Sequence, residues 1–226
     1  MRRITCRTIL SASLAAAVGL TAAGCSSGKA GSGPAAKVLT KAQLQAAALT
    51  AGELPAGYRI VKPASADALF TSTSTTTPAE CQPIQDIGAG KPTAAWAQNY
   101  PQAAKRTQVL ASRIAAYAEG GAEQTMTDLE GALKRCTAFQ AKNNKDGSVT
   151  TVKVTPGKAP ALGDDAVQLD LASSGGGSIS ALRMVLVRTG TTLALFSAFD
   201  ISSGKPVPLP QQVLSAQVDK LRAATG

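Results

Sequence analysis

The sequence predicts an α+β fold, an antiparallel β-sheet with helices packed on one face and one disulfide. Four β-rich runs follow one another in the last third of the chain, apolar stripes at helical spacing lie before and after them, and two cysteines remain available for pairing. A sheet and helices that bury their apolar faces against each other form the layered core of this class. Residues 39–226 are enough for a single α+β domain with a substantial core.

Turn signals separate the β-rich runs. The runs span residues 149–155, 166–172, 179–188 and 191–200. In the second run, Val167, Leu169 and Leu171 alternate with polar residues, which buries one face of a strand. The Thr-Gly dipeptide at 189–190 predicts a tight hairpin turn, and the glycine-rich stretch 173–178 predicts a looser one. Strands joined in this way pair in the antiparallel sense.

Capping residues and apolar spacing predict three helices. Thr40 and Gln43 match a capping box that opens a helix over residues 41–51. A second helix runs to about Phe139, and its apolar face is formed by Met126, Leu129, Leu133 and Cys136. The last helix opens at Pro210, and its stripe is formed by Leu214, Val218 and Leu221. Cys136 is therefore expected to face the core.

The first half of the domain gives weaker signals. A short strand is predicted over residues 58–61, and a strand over 107–118, although the abundant alanine there also allows a helix. Residues 64–101 lack a regular pattern and contain Cys81, Trp96 and Tyr100. We expect a long irregular loop there, and such loops in compact domains are usually functional or mobile.

The amino terminus has the layout of a secretory signal peptide over residues 1–24. A cationic head is followed by the apolar stretch 9–20, which is shorter than the roughly 20 residues that a membrane-spanning helix needs. The small residues 22–24 end at Cys25, and this resembles the lipobox of bacterial lipoproteins, in which that cysteine is diacylated and becomes the first mature residue. Ala22 stands where the family most often has leucine. The alternative is an ordinary cleaved signal followed by a chance cysteine.

The cysteine count agrees with a lipidated Cys25. Cys6 leaves with the signal, and the mature chain keeps Cys25, Cys81 and Cys136. If Cys25 is a thioether, Cys81 and Cys136 can form one disulfide in an oxidising compartment and no thiol is left over. Residues 25–38 are rich in Ser, Gly, Ala and Pro, so we expect a flexible tether between the anchor and the domain.

Charge argues against nucleic acid as a partner. The formal charge of +9 falls to +6 when three signal-peptide arginines and no acidic residue are removed. The remaining basic residues are scattered, with isolated pairs at 105–106 and 134–135, whereas nucleic-acid-binding surfaces cluster them with aromatic residues. We expect weak attraction to anionic lipid head groups or wall polymers instead.

Histidine is absent from the chain, and this removes most catalytic chemistry. The usual general base at neutral pH and the commonest transition-metal ligand are both missing. Asp164 and Asp165 form the only adjacent acidic pair. Neighbours on a strand point to opposite faces, so a turn or strand entry is favoured over a carboxylate-pair hydrolase. The sequence therefore predicts no enzymatic activity, no metal and no cofactor.

The order of elements resembles that of actinobacterial cell-surface lipoproteins. It is similar, more distantly, to the extracytoplasmic sensor domain of mycobacterial PknH-type kinases. The resemblance covers residues 40–224 and rests on element order and on the pair Cys81 and Cys136. It implies a module on the outer face of the cell membrane, held by a diacylglyceryl anchor on Cys25, that binds a ligand or partner without a known reaction.

Two classes of function follow from these patterns. In the first, the domain is a sensor-like module that binds a small molecule, lipid or cell-wall fragment. Trp96 and Tyr100 are candidate contacts because scarce aromatic residues in a long loop can line a pocket. The alternative for either side chain is that it only fills the core. In the second class, the domain is an envelope interaction or scaffolding module without a small-molecule site.

Overall fold

The computed structural model of the protein describes residues 37–63, 73–87, 90–175 and 181–226. The predicted signal peptide, Cys25, the tether up to residue 36 and the start of the third β-rich run at Ile179 lie outside the described residues. All described residues belong to one compact unit, Ala35–Gly226.

Helices and strands alternate irregularly along the chain. The helices are α1 (Lys41–Ala47), α2 (Gln82–Gln85), α3 (Gly121–Leu133) and α4 (Gln211–Thr225), and 3-10 turns span Ala51–Glu53 and Ala79–Cys81. The strands are β1 (Ser74–Thr77), β2 (Ala94–Asn99), β3 (Gln108–Ala116), β4 (Ala138–Asn143), β5 (Val149–Pro156), β6 (Asp165–Ser174), β7 (Ala181–Thr189) and β8 (Thr192–Asp200).

The strands within the described ranges form one eight-stranded sheet in the order β1-β4-β5-β6-β7-β8-β3-β2. Every neighbouring pair is antiparallel. Strands β5 to β8 form a meander whose last two members are joined by the predicted tight turn, with Thr189 opposite Thr192. The predicted α+β class, with its antiparallel sheet and disulfide, is confirmed.

Helices cover both faces of the sheet, so the prediction of helices on one face is wrong. Successive residues of β8 alternate between two cores, with Leu193 and Leu195 in one and Ala194 and Phe196 in the other. Helix α3 and the disulfide belong to the first core, and α1 and α4 belong to the second. The physical reason is that β8 is almost continuously apolar, a pattern that needs cover on both sides.

The second predicted helix is shorter than expected. Helix α3 ends at Leu133, and Phe139 lies in β4 instead. Cys136 follows the helix and is still buried, with 3% of its surface exposed. Helix α1 likewise ends at Ala47 and is followed by the 3-10 turn Ala51–Glu53.

The long irregular loop predicted over 64–101 is also wrong in part. It contains β1, α2 and β2, while residues 64–72 and 88–89 lie outside the described ranges. Strand β1 is made of Ser and Thr, and β2 is rich in Ala, so neither has an apolar alternation that would mark a strand. Their pairing with β4 and β3 creates them, since strand formation depends strongly on neighbouring strands.

The disulfide is present as predicted. Cys81 and Cys136 are bonded, with Cα atoms 5.8 Å apart. The bond joins the 3-10 turn Ala79–Cys81 to the segment after α3, and both sulfurs lie in the core. It therefore holds the α2 region against α3.

The described chain begins beside the β7–β8 turn. The hydroxyl of Thr191 donates a hydrogen bond to the carbonyl oxygen of Lys37 at 2.9 Å, and the ammonium of Lys37 donates to the carbonyl of Ala224 at 3.0 Å. These bonds fix the entry point of the chain at one end of β8. No helix within the described residues is long and apolar enough to cross a membrane.

Candidate functional site

A cleft of about 540 Å³ opens where residues 57–61 run beside residues 99–106. Arg59, Pro101, Gln102, Ala103 and Arg106 line this cleft, which we call the arginine cleft. Its volume lies in the range typical of small-molecule sites.

Backbone hydrogen bonds fix the two walls of the arginine cleft. The N–H of Arg59 donates to the Pro101 carbonyl at 3.2 Å, and the N–H of Ala103 donates to the Gly57 carbonyl at 3.2 Å. Gly57 has a φ of 88°, which favours glycine at this turn. The strand predicted over 58–61 is wrong, because only Tyr58 and Val61 make isolated bridges, Val61 with Asn99 at the end of β2.

A smaller pocket of about 230 Å³ adjoins the arginine cleft and shares two of its walls, Pro101 and Arg106. Its other lining residues are Val61, Asn99, Gln108, Val109 and Leu110. We call it the apolar extension, because Val61 and Val109 supply aliphatic side chains, while the side chain of Leu110 lies in the second core. Val61 is 44% exposed, so the extension opens to solvent.

The arginine cleft carries positive charge. Arg59 and Arg106 are both exposed, and among the described residues neither guanidinium makes an ion pair or a side-chain hydrogen bond. The carbonyl oxygens of the Gln102 and Asn99 side chains are buried and accept no hydrogen bond from described residues. The arginine cleft thus presents two guanidinium groups that no described residue neutralises.

Trp96 lies on β2 but does not line the arginine cleft. Its half-buried ring packs against the core beneath α1 and α4, and the ammonium of Lys62 lies 4.7 Å from the ring centroid. That distance is within the range of a cation–π contact. A role for Trp96 as a ligand contact stays a prediction.

Tyr100 is part of the core and has no exposed surface. Its hydroxyl lies 2.6 Å from the hydroxyl of Ser112 and donates to Oε1 of Gln98 at 3.0 Å, while Nε2 of Gln98 donates to the Leu49 carbonyl. Burial raises the pKa of Tyr100 to about 12. This placement favours the interpretation that Tyr100 fills the core.

With Tyr100→Phe, the free energy of unfolding is expected to fall less steeply at alkaline pH than in the wild type. The pKa of the Tyr100 phenol is about 12 in the folded protein, whereas the pKa of an unfolded tyrosine is about 10. Between these values the folded state binds more protons, so the free energy of unfolding falls as pH rises, by up to about 1.4 kcal/mol per pH unit. Denaturant unfolding between about pH 9 and about pH 11 measures the slope, and equal slopes for both proteins would contradict the assignment.

Asp164 and Asp165 occupy a strand entry. Asp165 begins β6, and the Asp164 carboxylate accepts a 2.6 Å hydrogen bond from the N–H of Gly190 and pairs with Arg188 at 3.5 Å. The carboxylate of Asp164 thus caps the β7–β8 turn. This agrees with the interpretation favoured from the sequence. Among the described residues, no group of three or more Cys, Asp and Glu could hold a metal ion.

No protein-family model matches the sequence, and no curated protein matches it. The structure is similar to the extracellular domain of PknH from Mycobacterium tuberculosis, with a TM-score of 0.51 and 11% sequence identity, covering 84% of this chain and 97% of that one. It also matches an uncharacterized protein from Mycobacterium smegmatis, the Rv0999 ortholog, with a TM-score of 0.39 and 13% identity, covering 84% of this chain and 96% of that one. The first likeness shows a shared fold and confirms the predicted resemblance to PknH-type domains at that level.

Sequence reasoning missed the arginine cleft. Arg106 belongs to a basic pair that looks isolated along the chain, and Arg59 lies in a segment whose only signal is a short strand. The signal that could have pointed to this region is the turn-forming Pro55 and Gly57 next to a cationic residue. The pairing of that segment with residues 99–103 is a long-range contact that no local sequence pattern indicates.

Proposed function

We propose that this chain is a lipid-anchored, extracytoplasmic and non-catalytic module that binds an anionic ligand in the arginine cleft. The observation that carries the proposal is the pair of exposed guanidinium groups at Arg59 and Arg106, which have no ion-pair partner among the described residues. Guanidinium groups bind carboxylates and phosphates through paired, charge-assisted hydrogen bonds. A concave site with two such donors favours an anion.

Binding without reaction is supported by the side chains that the chain lacks or has committed elsewhere. The chain has no histidine, Cys81 and Cys136 are bonded to each other, and Asp164 caps a turn. The lining of the arginine cleft consists of Arg, Pro, Gln and Ala, and it offers neither a nucleophile nor a general base for neutral pH.

An extracytoplasmic location and a sensor-like role have three supports. A disulfide is stable in oxidising compartments. Residues 1–25 have the pattern of a lipoprotein signal that ends at Cys25. The fold is shared with a protein domain described as extracellular. The alternative is an envelope interaction or scaffolding lipoprotein without a small-molecule site.

Anion binding is tested by thermal unfolding of the mature chain with pyrophosphate at constant ionic strength. A ligand that binds the folded state at ten times its Kd stabilises it by about 1.4 kcal/mol, which raises the Tm by about 3–6 °C for a domain of this size. We expect a saturable rise in the wild type that is lost in the Arg59→Ala, Arg106→Ala double variant.

Arg135→Ala is the matched control for this test, because Arg135 is an exposed arginine outside the arginine cleft. The control is expected to respond to pyrophosphate like the wild type. Equal shifts in all three proteins would place anion binding elsewhere. The absence of any saturable shift would favour the interaction module instead.

A further inference from the structure

The geometry points to a two-part site for an amphiphilic anion, a molecule in which a phosphate or carboxylate group is joined to an apolar chain. The head group of the ligand would occupy the arginine cleft, and its apolar chain would occupy the apolar extension. This inference rests on the proposed function and goes further by naming the class of ligand.

The two pockets are neighbours, because Pro101 and Arg106 line both of them. A single ligand bound at Arg106 can therefore enter either space. The arginine cleft holds the second guanidinium, Arg59, whereas the apolar extension holds the aliphatic side chains of Val61 and Val109. Two guanidinium groups in one pocket and aliphatic side chains in its neighbour match the arrangement of head and tail in an amphiphile.

The size of the apolar extension limits the length of the ligand's alkyl chain. Its volume of about 230 Å³ corresponds to about eight groups of the size of a water molecule, each of which occupies about 30 Å³. A chain of about eight carbons is of that order. Each fully buried methylene strengthens binding about fourfold, so three to four well-seated methylenes give about 100-fold.

The test compares a head group, a tail and the joined molecule. Inorganic phosphate, 1-octanol and octyl phosphate, each below its aggregation limit, are titrated calorimetrically into the mature chain with Cys25→Ser, which needs no detergent. We expect octyl phosphate to bind about 100-fold more tightly than phosphate, and octanol to give no measurable binding. Arg59→Ala with Arg106→Ala should weaken octyl phosphate binding at least tenfold, since each charge-assisted hydrogen bond contributes about 1.5–3 kcal/mol.

Val61→Ser separates the tail from the head. It should reduce the advantage of octyl phosphate over phosphate and leave phosphate binding unchanged, whereas Val149→Ser, at an exposed valine outside both pockets, should change neither. Vesicles containing labelled phosphatidylglycerol identify the source: transfer of label to the protein indicates a membrane lipid, and octyl phosphate binding without transfer indicates a soluble amphiphile. Equal affinities for phosphate and octyl phosphate would overturn the two-part site and leave the proposed function standing. If no probe binds saturably, both are overturned.

Discussion

A Cys25→Ala variant is expected to carry no lipid anchor. Each buried methylene of an acyl chain contributes about 0.8 kcal/mol, a single chain holds a protein only marginally, and two chains are enough for stable anchoring. Removal of the thiol that carries both chains should therefore produce either an uncleaved precursor or a freely released protein. Fractionation followed by mass spectrometry of the amino-terminal peptide measures both outcomes.

Cys6→Ala is the matched control for this experiment, because Cys6 lies within the predicted signal peptide. That variant should be lipidated and should fractionate like the wild type. Membrane association of the Cys25→Ala protein at the wild-type level, together with a mature peptide that lacks the lipid mass, would exclude the anchor.

Removal of the disulfide is expected to lower the free energy of unfolding by about 4 kcal/mol. The bond closes a loop of 55 residues, and a crosslink of that span restricts the unfolded chain by about this amount in the entropy model. For a domain of this size the Tm should fall by about 8–16 °C. Denaturant unfolding of a Cys81→Ala, Cys136→Ala double variant measures the change.

Reduction of the wild type provides the comparison for the double variant. The reduced wild type should lose a similar amount of stability, while the double variant should not respond to reductant. In the unfolded lipidated protein, thiol titration should find no free thiol before reduction and two afterwards. Two thiols without reductant would show that the cysteines are unpaired in the cell envelope.

The carboxy-terminal half of the fold could be predicted because its local patterns agree with its tertiary structure. Val167 and Leu169 alternate with polar residues on β6, and both are buried. Pro210 precedes α4, and the predicted stripe of that helix is buried in the second core. In these elements, the side that the sequence marks as apolar is the side that is buried in the core.

Strand β2 could not be predicted, because its sequence gives no alternation. Ala95 and Ala97 pack toward one core and Trp96 toward the other, and a run of alanines has the same apparent polarity on both faces. The coverage of both faces could have been read from β8, whose apolar residues run without a polar break from Leu193 to Phe196. The alternation in β6 is the more visible signal, and it describes a strand whose second face is only half-buried.

The candidate site was beyond local prediction for a different reason. Arg59 and Arg106 come together only because the segment after Gly57 pairs with the chain that follows β2. The aromatic residues that the sequence singled out, Trp96 and Tyr100, are scarce but belong to the core side of the same region. The scarce aromatic residues therefore lie near the arginine cleft but do not line it.

The described chain enters the domain at the end of β8 opposite to the proposed binding cleft. Lys37 contacts Thr191 next to the first residue of β8, whereas Gln108 of the apolar extension pairs with Asp200 at the last residue of that strand. A strand of nine residues spans about 30 Å, at a rise of about 3.3 Å per residue. The proposed binding cleft therefore lies about that far from Lys37, the residue at which the described chain enters the domain. The anchor would then concentrate the module at the cell surface without blocking the approach of a ligand that arrives from outside.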